Sequence, residues 1–444
     1  MQRAALAALT LAAAAGIPAE AQNLALSPDG EQATLTATIS QSAVVDTNYN
    51  LDDPSPGDSY YGDTRFTLDY LRDTRSQVLG LGIDTGLRSL WEADESFEFV
   101  LASPSRAYID FAQEGANTAF DANVRVRARR VDYLGELEGV DETDGDADAL
   151  TGFQEDTYEV RSDANIGFIL GTNSPSTYEF RVLGTSFDYP EDPDPNNPNS
   201  LVPRRSVEGQ ASWTLQITPV FSTIVLGSYY YYNSDRPTDD TVRVAEGDAG
   251  IVYEPSDVLR VRGGLGYADR TREETNAAGV TNETQHDQGL TVRGDLRYIL
   301  PEWTLLADAR WTEAAPTTPR LSGSVRAVYN LPRGTVAGRV FQRYTGGQGG
   351  DEVRVTGAGI GFDHELNNVS SIGLDASYAT QQNQDNPNDP DIDRTDFVAS
   401  YTYDFTEAVS AEIGYGYRHR IEDPEDADSH RLFLVFGRSF QTGL

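Results

Sequence analysis

The sequence predicts an all-β fold: a transmembrane antiparallel up-and-down β-barrel of about twenty strands. Three observations favour this class. Segments of alternating polarity recur from Thr34 to Phe440, the connections between them are alternately short and long, and an export-type segment stands at the start of the chain. Strict period two indicates strands. Short turns on one side and long loops on the other are typical of outer-membrane barrels.

Residues 1–21 are predicted to be a cleaved secretory signal peptide. A start containing Arg3 precedes the apolar run ALAALTLAAAAG, and Ala19 and Ala21 form an A-x-A cleavage pattern. The remaining sequence contains no apolar stretch of about 18 residues, so no transmembrane helix is expected. Residues 22–444 are therefore assigned to one barrel domain in the outer membrane of a Gram-negative cell.

The composition narrows the function classes. The 444 residues include no cysteine, which excludes disulfides and cysteine-bound metals. The formal net charge is −36, and so acidic a chain is not expected to bind nucleic acid, because a phosphate backbone requires a basic surface. All 34 basic residues are arginines. We expect no cofactor.

Two segments show the alternation that a membrane wall requires. In VLRVRGGLGYADR (258–270) and LTVRGDLRYIL (290–300), one set of alternate residues is apolar and the other carries arginines. A strand of a soluble sandwich would alternate in the same way, but its core could not hold so many arginine and aspartate side chains without individual partners. A barrel with an apolar outside and a polar inside is therefore predicted. Roughly 16 to 22 strands are compatible with the pattern, because boundaries read from one sequence are imprecise.

The connections fall into two classes by length, and the region 88–118 is the hardest to divide. The short connections are RDTRS (72–76), ITP (217–219), EPSD (254–257), LPE (300–302), NLPRG (330–334), LNN (366–368) and TEA (406–408). The long, polar ones are residues 45–62, 133–156, 187–203, 271–286, 381–393 and 421–429. We expect the long class to lie on the outer side of the membrane.

Three stretches make the chain resemble a known family. They are TATISQSAVVDTNYNLDD (36–53), FAQEGANTAFDANVRVRAR (111–129) and LGTNSPSTYEF (170–180). With these residues the chain is similar to the beta-barrel porin family of proteobacterial outer-membrane proteins, over nearly the whole of residues 22–444. The resemblance implies an outer-membrane barrel. It brings no catalytic or ligand-binding motif, so no functional residue is transferred.

The leading functional prediction is a porin-like channel for passive diffusion of small hydrophilic solutes. Arginines outnumber acids on the polar side of several strands, and arginines in a water-filled pore favour anions. An equally acceptable interpretation pairs them with acids of neighbouring strands, which would tie the wall together. The predicted pore-lining residues are Arg125, Arg127, Arg129, Arg260, Arg262, Arg293, Arg297, Arg310, Arg326, Arg339, Arg343, Glu412 and Arg418.

A barrel of about twenty strands encloses more space than its side chains fill, so either a segment narrows the lumen or the barrel is an open channel. The acidic segment 133–156 is the first candidate and 187–203 the second; a loop that stands in solvent is the alternative for both. In DGDADALTGFQE (144–155), Asp144, Asp146, Asp148 and Glu155 stand at positions 1, 3, 5 and 12 of an EF-hand spacing. Ala149 occupies position 6, where the turn requires glycine, so no metal site is predicted. The acidic residues concerned are Glu138, Asp141, Glu142, Asp144, Asp146 and Asp148.

Other functions are weighed against the channel. The alternative is an outer-membrane barrel with a role in surface-polysaccharide export or surface interaction, with little conductance. No enzymatic activity is expected, because the 4 histidines show no metal-ligand spacing and no catalytic motif is present. The expected partners are outer-membrane lipid and lipopolysaccharide, the barrel-assembly machinery during insertion, and small hydrophilic solutes.

Overall fold

The computed structural model describes residues 32–51, 53–91, 97–102, 104–130, 158–190, 203–234, 239–275, 280–314, 319–346, 352–384, 391–422 and 424–443. The elements within these ranges are all β-strands. In the same ranges, no helix is long and apolar enough to span a membrane.

Within the described ranges, the strands follow one another with no other type of element. The first eleven are β1 Gln32–Asp46, β2 Ser59–Asp73, β3 Gln77–Trp91, β4 Phe97–Leu101, β5 Ser105–Glu114, β6 Thr118–Arg130, β7 Tyr158–Leu170, β8 Ser176–Asp188, β9 Arg204–Thr218, β10 Phe221–Ser234 and β11 Asp239–Ser256. The others are β12 Leu259–Thr275, β13 Thr281–Ile299, β14 Trp303–Thr312, β15 Arg320–Leu331, β16 Gly334–Gly346, β17 Glu352–Asn367, β18 Ser370–Asn383, β19 Ile392–Thr406, β20 Val409–Glu422 and β21 Glu425–Gly443.

The strands close into a barrel. Apart from β4 and β5, strands that are neighbours along the chain pair antiparallel, and β21 pairs with β1 from Thr34↔Gly443 to Asp46↔Arg431. One strand of the wall is interrupted, because β3 pairs with β4 near one end and with β5 near the other. Since β4 and β5 share a position, the 21 strands fill 20 positions. The predicted antiparallel up-and-down barrel of about twenty strands is confirmed.

The apolar sides of the strands form a continuous outer surface. Leu265, Val292, Trp311 and Leu321 lie directly opposite one another on β12 to β15. Three of them are strongly exposed: Leu265 by 70%, Val292 by 42% and Leu321 by 54%. Exposed apolar rows of this kind are stable against lipid and not against water. The outer surface of the barrel is therefore its membrane-facing surface.

The two ends of the barrel differ in their connections. At one end, which we call the turn end, neighbouring strands are joined by links of a few residues, and both Gln32 and Gly443 lie there. At the opposite loop end, two of the predicted long connections are wrong. The predicted loop 271–286 is mostly strand, since β12 and β13 leave only residues 276–280 between them, and 421–429 contains just two connecting residues. Both hairpins lose the apolar alternation but keep their cross-strand pairing, because strand pairing does not require an apolar face.

Candidate functional site: the interior wall

The predicted pore-lining residues all lie on the side of the strands opposite the membrane-facing one. Strand pairing carries this orientation from one strand to the next, because directly opposed residues share a face of the sheet. Their effect on solutes stays a prediction. The acidic constriction residues Glu138, Asp141, Glu142, Asp144, Asp146 and Asp148 lie outside the described residues. The interior positions are Arg125, Arg127 and Arg129 on β6, Arg260 and Arg262 on β12, Arg293 and Arg297 on β13, Arg310 on β14, Arg326 on β15, Arg339 and Arg343 on β16, and Glu412 and Arg418 on β20.

Three of these arginines surround two buried carboxylates of β11. Arg293 Nη2 donates to Glu246 Oε1 at 3.2 Å, and Arg310 Nη2 donates to the other oxygen of the same carboxylate. Arg262 Nη2 lies 3.5 Å from Asp248 Oδ1, and Arg293 Nη1 lies 3.9 Å from Asp248 Oδ2. These contacts cross four neighbouring strands. These three arginines therefore pair with acids of neighbouring strands, which is the alternative to anion selection given in the sequence analysis.

Sequence reasoning missed both of those acids. Glu246 and Asp248 alternate with Ala245, Gly247 and Ala249 in AEGDA, which is the same period-two signal that revealed the arginines. Because the residues between them are alanine and glycine, the apolar face of this strand is hard to recognise in the sequence. Strand pairing supplies the information that alternation lacked, because it aligns β11 with β12 from residue 239 to residue 256.

A second ionic group lies on β6, β7 and the end of β8. The Glu159 carboxylate accepts a hydrogen bond from Arg129 Nε at 2.9 Å and one from the Tyr189 hydroxyl at 3.1 Å. Burial, followed by the nearby Glu159 charge, raises the pKa of Tyr189. The phenol therefore keeps its proton and remains a hydrogen-bond donor. Two residues further along β7, Arg161 Nε donates to Asp163 Oδ2 at 2.8 Å.

The connection after β1 turns into the barrel. The Asn48 N–H donates to Asp46 Oδ1 at 3.0 Å, and the Leu51 N–H donates to the Asn48 carbonyl oxygen at 3.2 Å. These bonds close a tight turn that ends with Leu51 in the left-handed region, at φ 58°. Tyr49 is 2% exposed and Leu51 is 1% exposed. We call residues 47–51 the inner shelf.

Arg418 anchors the inner shelf to β20. Its Nη2 donates to Asp46 Oδ2 at 2.7 Å and to the Tyr49 carbonyl oxygen at 3.2 Å. The hydroxyl of Ser429 on β21 donates to the remaining oxygen of Asp46. The side chains of Arg418 and Asp46 are 2% and 0% exposed. A charge pair so buried is held by several hydrogen bonds at once, which is the condition for its stability.

Arg88 anchors the inner shelf to β3. Its guanidinium donates to both oxygens of Asp63, at 2.7 and 2.8 Å, and to the Tyr49 hydroxyl at 2.9 Å. The same guanidinium lies 4.3 Å from the centre of the Tyr61 ring, and Tyr49 meets that ring edge-on at 5.4 Å. Val44, Leu90 and Phe433 complete an apolar cluster around Tyr49 and Tyr61.

The inner shelf corrects the prediction for residues 45–62. That segment was assigned to the outer loops because it is polar and long, yet its first part packs on the interior side of β1, β2, β3, β20 and β21. Buried partners explain the difference, because the polar groups of residues 46–49 are satisfied by Arg88, Arg418 and Ser429. Sequence alone does not reveal partners so distant along the chain.

The histidines do not gather into a site. His286 Nε2 lies 3.2 Å from Asp269 Oδ1, and His419 Nε2 lies 2.7 Å from Asp426 Oδ1. His430 meets the Tyr415 hydroxyl at 2.7 Å. Across the ranges that the structure covers, no three histidine or acidic side chains come together in a way that could hold a metal ion.

This chain is similar to known proteins in structure but not in sequence. No protein-family model and no curated protein matches the sequence. The FrpB iron transporter from Neisseria meningitidis (apoprotein form, F5-1 variant) has a TM-score of 0.50 and 7% identity, over 93% of this chain and 82% of that one. The copper transporter OprC has a TM-score of 0.48 and 11% identity, over 93% and 81% of the two chains. The ferric-catecholate import receptor Fiu from E. coli K12 has a TM-score of 0.48 and 10% identity, over 92% and 81%.

The FrpB iron transporter shares the barrel fold with this chain. The protein is a Gram-negative outer-membrane β-barrel. At 7% to 11% identity, the likeness extends to the fold alone and transfers no residue and no cargo. The three neighbours are named as transporters or receptors, and none of them is named as an enzyme.

Proposed function

We propose that this barrel is a porin-like channel for passive diffusion of small hydrophilic solutes across the outer membrane. The observation that supports this proposal most is that the barrel is wide and its interior wall is charged. The 20 positions of the barrel enclose a lumen wider than side chains fill. Its wall carries arginines and carboxylates. Such charged groups must be either hydrated or paired with an opposite charge. A wide lumen lined in this way is water-filled and conducts solutes.

The inner shelf fits this function as a constriction. It occupies one side of the lumen near the loop end, against five neighbouring strands. Five residues are too few to fill a barrel of this width, so the described residues leave a passage beside the shelf. We propose that the shelf contributes to the width limit for solutes. The predicted role of segment 133–156 as a constriction remains a separate proposal.

The resemblance to the beta-barrel porin family is part of the same proposal. The structural neighbours are named for the transport of iron and copper, but no residue of this chain is assigned to such cargo. A passive channel and an energised receptor differ in what they require. The channel conducts in a bare lipid bilayer, whereas energised uptake needs partner proteins.

The test is planar-bilayer recording with the refolded chain, since a bare bilayer contains neither partner proteins nor an energy source. We expect stable open steps in KCl and diffusion of small sugars into proteoliposomes. The same preparation after heat unfolding is the control for detergent leaks. An inserted barrel that stays closed would overturn the proposal. It would favour the alternative, a barrel for surface-polysaccharide export or surface interaction.

A further inference from the structure

Four interior arginines lie in one row across neighbouring strands. Arg260 of β12 is directly opposite Arg297 of β13, and Arg326 of β15 is directly opposite Arg339 of β16. Leu306 of β14 joins the two pairs, because it lies opposite both Arg297 and Arg326. Neighbouring strands are about 4.8 Å apart, so the row extends over roughly 19 Å of the wall.

The row lies near the turn end of the barrel. Arg260 is the second residue of β12, and Arg297 is two residues from the end of β13. On the membrane-facing side of the same strands, the rings of Trp303 and Tyr329 are in contact, with their centroids 4.5 Å apart. Such aromatic residues mark the membrane interface. The row is therefore close to the interface at the turn end, which is the periplasmic end of an outer-membrane barrel.

Arg260 and Arg297 differ from the interior arginines that tie the wall together. Arg262 meets Asp248 and Asp295, and Arg310 meets Glu246. In the part of the chain that the structure describes, neither Arg260 nor Arg297 has an ion pair or a hydrogen bond, and both are exposed. Like charges directly opposite each other in a sheet repel.

The acids next to the row are not paired with Arg260 or Arg297 in the described residues. Glu254 of β11 lies beside Arg260, where the β11–β12 ladder shifts register between Tyr253 and Ser256. On the turn side, the next interior row is Ile299, Thr304, Val328 and Ala337, which are uncharged. On the other side lie two aspartates that have partners of their own. Asp295 lies 3.7 Å from Arg262, and Asp308 accepts a hydrogen bond from the Ser324 hydroxyl.

We infer that this arginine row is an anion-binding site on the lumen wall, for solutes that carry a phosphate or carboxylate group. The inference rests on the proposed channel function, because the row faces the lumen. Planar guanidinium groups match the oxygens of phosphate and carboxylate. An anion placed between Arg260 and Arg297 relieves their mutual repulsion. The solutes that the channel favours are therefore small anions, which collect at its periplasmic end.

Two measurements test the site, with inorganic phosphate as the probe. Phosphate binding to the folded barrel in an uncharged detergent is measured by ³¹P NMR line broadening. Reversal potential in a KCl gradient, with and without phosphate, is measured in planar bilayers. We expect saturable phosphate binding and a preference for chloride over potassium. Arg260→Gln and Arg297→Gln should each weaken phosphate binding roughly tenfold, and the double variant should lose the anion preference.

Arg438→Gln is the matched control. Arg438 also lies near the turn end, but on the membrane-facing side, where its guanidinium is 4.7 Å from the Phe440 ring. Its loss removes one positive charge without changing the lumen, so binding and reversal potential should stay at the parent values. Heat-modifiable gel mobility shows that each variant is a folded barrel.

The outcomes separate the two proposals. Conductance without phosphate binding, or binding that the Arg260 and Arg297 variants leave unchanged, would overturn the anion site and leave the channel intact. Phosphate binding that these variants abolish, in a barrel that does not conduct, would support the site and overturn the channel. Equal losses in Arg438→Gln would assign the effect to overall charge and overturn the site as well.

Discussion

Arg418→Gln should release the inner shelf. The substitution removes the charge that faces Asp46, whose carboxylate is 0% exposed. Breaking a buried ion pair by removing one partner costs about 3–5 kcal/mol, because the other charge is left uncompensated. Asp46 keeps its hydrogen bonds from the Asn48 N–H and the Ser429 hydroxyl. We therefore expect the lower end of the range, about 3 kcal/mol in the free energy of unfolding.

The assay combines stability and conductance. Guanidinium unfolding of the barrel in lipid vesicles measures the loss of stability, and bilayer recording measures the width of the channel. We expect larger conductance steps for Arg418→Gln, because Tyr49 also loses the hydrogen bond to its carbonyl oxygen. The double variant Asp46→Asn with Arg418→Gln should recover part of the stability, since no buried charge is then left alone.

A second buried pair provides the control. On β13, Arg293 donates to Glu246 of β11 at 3.2 Å, and the Glu246 side chain is 3% exposed. Neither β11 nor β13 is among the five strands around the shelf, so Arg293→Gln should also destabilise the barrel while leaving the conductance steps at their parent size. The reasoning about the shelf is refuted if Arg418→Gln loses stability with no change in conductance, or if both variants change conductance equally.

Three further substitutions test the wall. Tyr49→Phe removes the hydrogen bond to Arg88 and should cost about 1 kcal/mol in urea unfolding, with a smaller conductance increase than the loss of Arg418. Glu246→Gln leaves Arg293 and Arg310 without their shared carboxylate and should cost about 1–3 kcal/mol; unchanged stability would mean that the contact is solvated. Leu265→Arg places a charge on the membrane-facing side and should cost up to about 4 kcal/mol in vesicles but little in detergent.

The alternation of polarity predicted the wall correctly, and the reason is local. In a strand, successive side chains point to opposite faces, so Arg260 and Arg262 share one face of β12, and Arg293 and Arg297 share one face of β13. The apolar residues between them then face lipid, as Leu265 and Val292 do. A single segment contains this information without reference to its neighbours.

Strand ends were predicted less well at the loop end. Residues 271–286 and 421–429 are polar on both faces, which a sequence pattern assigns to loops. In the structure residues 271–275, 281–286, 421–422 and 425–429 continue the ladders of β12, β13, β20 and β21. Hydrogen bonding between backbones holds them, and it leaves no trace in side-chain polarity.

What the sequence alone determined was the class of fold, the side of the wall on which each arginine lies and the short connections at the turn end. Tertiary structure decided which arginines have ion-pair partners, and that the connection after β1 folds into the barrel as the inner shelf. Arg262 meets Asp248 while Arg260 faces Arg297, although all four show the same alternation. Asp46 and Arg418 are 372 positions apart, and the closure of β21 onto β1 brings them together. Such contacts depend on register and closure, which are properties of the whole barrel and of no single strand.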